Sequence, residues 1–167
     1  MPISDQDHST LRYTLIPRTL IFLTCEDRIL LIKGAPHKRL WANLYNGIGG
    51  HVERGEDLLT AAKRELREET GLSDIELWLC GTITIDTNDN PGIGIFVYRG
   101  ECMVEDLQES IEGTLAWILL NQVFSLPLVE DLYQLLPKVL KTSKNSPNFS
   151  ALYTYDEDEQ LIVRFSD

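Results

Sequence analysis

One stretch constrains this chain more than any other: Gly50 to Leu72, GHVERGEDLLTAAKRELREETGL. It reads as a glycine turn, a helix start and a helix with a carboxylate cluster on one face. Asp57 precedes a run from Leu58 to Thr70 that is free of Gly and Pro. A short acceptor in that position caps free N–H groups, and its charge suits the helix dipole. Gly71 then supplies the stop, so a helix over 58–70 is predicted. Within it Glu65, Glu68 and Glu69 stand at i, i+3 and i+4, neighbours on one surface. Leu59, Ala62 and Leu66 form an adjoining apolar stripe expected to pack inward, while Lys63 and Arg67 fall roughly opposite the glutamates and should face water. Arg64, four residues before Glu68, is placed to pair with it.

Three crowded carboxylates repel one another unless a cation sits among them. Hard oxygen ligands of this kind suit Mg²⁺ or Mn²⁺, which engage substrate phosphates. Gly49 and Gly50 have no Cβ, so backbone carbonyls there can approach an ion closely. A bare run of glutamates is ordinarily a solvated helix face. The joint spacing of the glycines, Glu56, Arg64, the three glutamates and the apolar positions is far more demanding. The whole stretch resembles the Nudix box, and every defined position of that box is met. The approach to it, Trp41 to Gly50 (WANLYNGIGG), is similar to that of MutT-type nucleoside triphosphate pyrophosphohydrolases.

That resemblance implies roles for named residues. Glu65, Glu68 and Glu69 are expected to bind the metal, Mg²⁺ or Mn²⁺, helped by the backbone carbonyl of Gly49 or Gly50. Arg64 joins the catalytic set, and Glu56 lies beside it as a supporting acid at the substrate. A further glutamate is expected from a later loop, with Glu112 the first choice and Glu109 the reserve. Asn46 matches an asparagine that faces the nucleobase in the 8-oxo-purine branch. An amide both donates and accepts, although an Asn before Gly equally shapes a turn. Glu130 and Asp131 lie near the place of the adjacent acids that read the base in one such enzyme, without a clear match. Tyr45 and Trp117 are candidates for stacking, and Trp117 also suits a core position. Apart from the resemblance, Gly34 to Leu44 reads as a polar, basic loop with His37, Lys38 and Arg39, either contacting phosphates or simply solvated, and Lys33 and Arg39 are expected at the substrate.

The predicted reaction is Mg²⁺-dependent hydrolysis of a phosphoanhydride in a nucleoside triphosphate, an oxidised purine such as 8-oxo-dGTP among them. The products would be a nucleoside monophosphate and pyrophosphate. The alternatives are hydrolysis of another nucleoside diphosphate derivative such as ADP-ribose, or a noncatalytic nucleotide sensor. The intact glutamates argue against the sensor. A net charge of −11 argues against long nucleic acid and acidic membrane surfaces as partners, leaving a small nucleotide. No apolar run approaches the ~20 residues that span a bilayer. The polar N-terminus is unlike a signal peptide. Cys25, Cys80 and Cys102 are widely spaced and read as reduced core residues, which points to the cytoplasm. The chain is expected to be a monomer or a homodimer.

The 167 residues suit one core. Residues 1–11 read as a flexible arm, and 12–167 as a single domain ending in a hairpin. Strands are predicted at 13–25, 28–33, 46–52, 74–86, 93–101 and 114–119. A helical region from Asn121 is interrupted by Pro127, and Leu128 to Leu140 carries an apolar helical pattern whose end Pro137 blurs. Strands 149–155 and 160–165 flank an acidic turn. Irregular interleaving of strands with two helices argues for an α/β sandwich with a mixed sheet rather than a parallel doubly wound one. The resemblance agrees, implying a Nudix-type α/β/α sandwich.

Overall fold

The computed structural model describes residues 2, 5, 12–37, 40–103, 107 and 113–166. Apart from Pro2 and Asp5, the expected arm over 1–11 lies outside them. The elements run β1 (Leu15–Cys25), β2 (Arg28–Gly34), β3 (Tyr45–Asn46), α1 (Leu58–Thr70), β4 (Leu77–Ile85), β5 (Gly92–Glu101), β6 (Gly113–Leu119), a 3₁₀ turn (Val123–Ser125), α2 (Leu132–Lys141), β7 (Phe149–Tyr155) and β8 (Leu161–Ser166).

β1 is the spine. Its central residues are buried on both faces, which is why the sequence there is apolar without alternation. Leu20 and Phe22 point to one side, into a cluster with Leu132, Leu135, Leu136 and Val139 of α2. Ile21 and Leu23 point to the other, into a cluster with Ala62 and Leu66 of α1. The helices therefore cover opposite faces, giving the predicted three layers. The strand order is β3-β2-β1-β5-β4-β7-β8, with β6 also paired to β2. β1 with β5 and β4 with β7 are parallel, while the other pairs are antiparallel, so the sheet is mixed as expected.

Three departures from the sequence reading have local causes. The strand expected over 46–52 does not stay on one partner. Tyr45 and Asn46 pair with β2. The chain then crosses to β1, where Ile21 N donates to Ile48 O at 2.7 Å and Thr19 N to Gly50 O at 2.9 Å. The helical pattern from Leu128 starts late, because the backbone there is engaged by β3 instead. Tyr45 N donates to Pro127 O at 2.9 Å, and Val129 N to Tyr45 O at 3.0 Å. α2 then runs through Pro137 to Lys141. Leu59 is the third departure. It shares the angular position of the inner stripe but sits in the first turn, ahead of the cluster, and is 37% exposed. Ala61, Ala62, Leu66 and Thr70 form the buried side of α1 instead, while Lys63 and Arg67 are exposed as expected.

Candidate active site

α1 is built by its own ends. The Asp57 carboxylate accepts from Leu59 N at 2.9 Å and Thr60 N at 3.0 Å, satisfying two of the free donors of the first turn. Gly71 closes the helix at φ 76°, its N–H on Arg67 O. Inside the last turn the Thr70 hydroxyl donates to Leu66 O at 2.6 Å and accepts from Leu72 N at 3.1 Å. A helix fixed at both ends presents its side chains in a defined order.

The acidic face is organised by Arg64. Its Nη1 donates to Glu65 Oε1 at 2.8 Å and to Glu68 Oε2 at 3.2 Å. Its Nε and Nη2 hold both oxygens of Glu56, at 3.1 and 2.7 Å, and Nη2 also reaches His51 O at 3.0 Å. The fork thus ties α1 to the loop that precedes it. Glu56 is the firmest partner, and Glu56 Oε1 also accepts from Glu53 N at 2.6 Å. The guanidinium beside it, with the Glu53 N–H, holds the Glu56 carboxyl below the usual carboxylate range. Arg64 is raised in turn, first by Glu56 and then by Glu65. Glu56 is therefore ionised at neutral pH and unsuited to donating a proton; it anchors Arg64. Helical spacing anticipates the bond to Glu68 but neither the bond to Glu65 nor the clamp on Glu56.

Gly49 and Gly50 lie where the chain crosses onto β1. Gly49 has φ 152°, and a Cβ there would stand 2.1 Å from Thr19 O. A Cβ on Gly50 would lie 2.4 Å from Glu65 Oε1, so the missing side chain is what lets that carboxylate rest on the backbone. The Gly50 carbonyl already accepts Thr19 N. Among the described residues no three carboxylate, imidazole or thiolate groups converge on one ion-sized point. Glu65 and Glu68 are turned to Arg64, whereas Glu69 lines a cleft beside them. The donor set itself, hard oxygens on one face against a glycine backbone, suits a divalent cation.

That cleft is open to solvent and lined by Ile32, Gly34, Leu40, Trp41, Leu44, Asn46, Gly47, Gly49 and Glu69. Its lining mixes apolar side chains with the Asn46 amide and the Glu69 carboxylate. Asn46 is thus on the same cleft as Glu69, and its Oδ1 also accepts Gly47 N at 2.8 Å, a turn-shaping bond. Lys33 is not among the lining residues. Strand alternation sends it to the other side of β2, where its ammonium sits 5.7 Å from the Tyr45 ring centre. Tyr45 packs against the α2-side cluster and Trp117 against the α1-side cluster, so neither aromatic named for stacking lines the cleft. Glu130 and Asp131 are also outside the lining set. Burial pushes the Asp131 carboxyl up to about 6, against the pull of the neighbouring Tyr153 hydroxyl. Lys38, Arg39, Glu109 and Glu112 lie outside the described residues. Cys25, Cys80 and Cys102 are free thiols, and burial drives Cys80 up to about 11, which makes it a core residue rather than a nucleophile. No helix among the described residues is long and apolar enough to cross a membrane.

Comparison with known proteins bears on this geometry. The family model for the NUDIX domain matches residues 14–139. An oxidized purine nucleoside triphosphate hydrolase of Mus musculus is 29% identical over 149 residues, spanning 89% of this chain and 91% of that protein. The crystal structure of the mutator MutT protein from Bacillus halodurans superposes with a TM-score of 0.75 at 23% identity, over 90% of this chain and 97% of its own. The NUDIX domain of Shewanella oneidensis NrtR, solved with ADP ribose, gives a TM-score of 0.68 at 18% identity, over 84% and 98%. At those identities the two structures speak to the fold. The family model covers most of the chain and includes the whole capped helix with its Arg64-centred glutamates: the chain belongs to the Nudix family, as a pyrophosphohydrolase of MutT type.

Proposed function

We propose that the chain hydrolyses a nucleoside triphosphate, with oxidised purine nucleotides the leading substrates, to a nucleoside monophosphate and pyrophosphate. One observation carries this reading: Glu69 of the acidic helix and the Asn46 amide line the same cleft. A phosphate chain held at the glutamates would leave its base within reach of an amide able to donate and accept. The substrate named for the mouse relative supports the same choice. The three free cysteines favour a reducing compartment, the cytoplasm.

In this reading Glu65, Glu68 and Glu69 would hold the cation, with the Gly49 carbonyl preferred over that of Gly50, which already accepts Thr19 N. A bound Mg²⁺ or Mn²⁺ supplies neutralisation of the phosphate oxygens and activation of the attacking water. Water attacks phosphorus, the bridging P–O bond breaks, and pyrophosphate leaves. Arg64 is a positioning residue. Anchored by Glu56 and His51 O, it holds through Nη1 both Glu65, which rests on the Gly50 backbone, and Glu68, two of the carboxylates that would hold the cation. We assign the water's proton to Glu112, with Glu109 in reserve.

The test is a panel of 8-oxo-dGTP, dGTP, other nucleoside triphosphates and ADP-ribose with Mg²⁺, with products resolved by chromatography. The expected result is the highest kcat/KM on a purine triphosphate and release of pyrophosphate. Preference for ADP-ribose, or release of single phosphates, would overturn the proposal.

A further inference from the structure

The cleft carries an aromatic side chain that the reaction above leaves unused. Trp41 is 46% exposed, although it is the largest side chain type and could be buried. Trp78 and Trp117, by contrast, are packed against the two core clusters. Trp41 also has φ 58°, and Asn43 two residues on has φ 62°. For a bulky side chain the left-handed region is a genuine outlier, held only when the surroundings enforce it. Here they do. Leu44 N donates to Trp41 O at 3.0 Å, Asn43 N to Gly34 O at 2.9 Å, and Gly34 N to Leu44 O at 3.0 Å. Gly34 must be glycine for this closure, since a Cβ there would stand 2.4 Å from Trp41 O.

A strained backbone that holds an indole half in water does not serve the core. What it does serve is the cleft, whose lining brings Trp41 together with Leu40, Leu44, the Asn46 amide and Glu69. A flat aromatic surface, an amide and a carboxylate of the acidic helix on one cleft are the parts needed for a base, its polar edge and its phosphates. We propose that Trp41 is the stacking platform for the nucleobase and sets affinity for purine nucleotides. This rests on the function proposed above. Stacking on an indole is tolerant of base identity and grows with ring area, so it favours purines over pyrimidines without reading a particular edge.

Kinetics and fluorescence together test this. Trp41→Ala should raise KM for purine nucleoside triphosphates between about 5- and 100-fold, the range expected for loss of one base–aromatic stack, with kcat nearly unchanged. KM for pyrimidine triphosphates should rise less. Trp41→Gly should show the same KM defect yet melt no lower than the native chain, because glycine adopts positive φ without strain. Titration with a non-hydrolysable purine triphosphate should quench the native tryptophan emission, and most of that quench should vanish in Trp41→Phe while surviving in Trp78→Phe. Unchanged KM in Trp41→Ala with full quenching in Trp41→Phe would overturn the inference and leave the proposed function standing. A lower melting temperature in Trp41→Gly with native KM would make Trp41 a structural residue only. A native chain that neither binds nor cleaves purine nucleotides overturns both.

Discussion

The two helices lie on opposite faces of one sheet and are held by different means. α1 carries its own instructions. Asp57 caps it from one end, Gly71 stops it at the other, and its buried side is small, with Ala61, Ala62, Leu66 and Thr70. α2 has no side-chain cap on its first turn and keeps Pro137 in its interior. Its buried side is large and aliphatic, with Leu132, Leu135, Leu136 and Val139. Its C-terminal carbonyls are capped from another element: Arg99 of β5 donates to Val139 O, Leu140 O and Thr142 O. The glutamates proposed to hold the cation sit on the helix that is locally specified. A helix that must present three like charges cannot rely on a broad apolar face next to them, so its ends do the work instead. α2 can be anchored by packing because no exposed face of it serves the cleft.

The largest expected difference follows from the packing. Leu136→Ala should destabilise the chain by about 2–5 kcal/mol, the range for a fully buried leucine. Leu59→Ala on α1 should cost no more than ~0.5 kcal/mol, as for an exposed position. Urea unfolding with matched slopes measures both. The folded fraction of Leu136→Ala should keep native kcat, and a loss of kcat there would show that α2 shapes the site.

The reverse separation is expected on α1. Glu69→Gln keeps the side-chain shape and removes one charge from the cleft side of the acidic face. It should lower kcat at least ~100-fold, about 2.7 kcal/mol of barrier. The melting temperature without metal should stay the same or rise slightly as repulsion is relieved. Mg²⁺ should stabilise this variant less than the native chain, since a ligand of the folded state raises stability by mass action. Full activity with an unchanged Mg²⁺ shift would make Glu69 ordinary surface charge. Glu112→Gln should likewise cost about 100-fold in kcat, with Glu109→Gln nearly silent, and the opposite pattern would transfer the role.

Caps come next in size. Asp57→Ala should cost about 0.5–2 kcal/mol, and Arg99→Gln about 1–3 kcal/mol from carbonyls left short of donors. Hydrogen exchange distinguishes the two caps. Asp57→Ala should loosen the first turn of α1 alone. Arg99→Gln should loosen the end of α2 and β5 together, because that cap joins elements distant in sequence.

The same division separates what is legible in the sequence from what is not. The bounds of α1, its caps and the outward course of Lys63 and Arg67 are local properties, and the residue pattern yields them directly. The late start of α2 depends on Leu128 and Val129 being claimed by Tyr45, a contact that periodicity does not encode. The crossing of residues 45–52 from β2 to β1 is hidden for the same reason. Within the site, the Glu68 contact of Arg64 follows from helical spacing, whereas its clamp on Glu56 needs the preceding loop to fold back. Lys33 is expected at the substrate, and one step of strand alternation sets it beside Tyr45 rather than in the cleft lining, a placement that the residue types alone do not give. Trp41 opens the approach to the box without a role assigned there, yet it carries a signal: a tryptophan among turn-forming residues, outside every predicted strand and helix, has no core to enter.

The smallest expected effect is in the pH dependence of stability, and the two helices should show it with opposite sign. Asp57 has its carboxyl lowered from the ordinary value of 3.8 by the hydroxyl and N–H of Thr60. A lowered native pKa means stability that is fully present above the unfolded value and lost as pH falls through the native one. The destabilisation caused by Asp57→Ala should therefore be constant above about pH 5 and shrink below about pH 4. Asp131, at the start of α2, is raised by burial from 3.8 to about 6. Its native form holds a proton that the unfolded chain releases between those values. Stability thus falls as pH climbs from about 4 to 6, and the loss is complete above that window. Asp131→Asn cannot ionise, so its melting temperature relative to the native chain should rise across the same window and level off beyond it. Tyr153, driven up first by burial and then by the Asp131 charge, stays neutral throughout and adds no titration of its own in this range. Melting curves of the native chain, Asp57→Ala and Asp131→Asn at half-unit steps from pH 3 to 8 would show the two differences bending in opposite directions. Parallel curves for Asp131→Asn and the native chain would mean that the Asp131 carboxyl is solvated, and the contrast between a water-facing helix and a buried one would then fail at its most sensitive point.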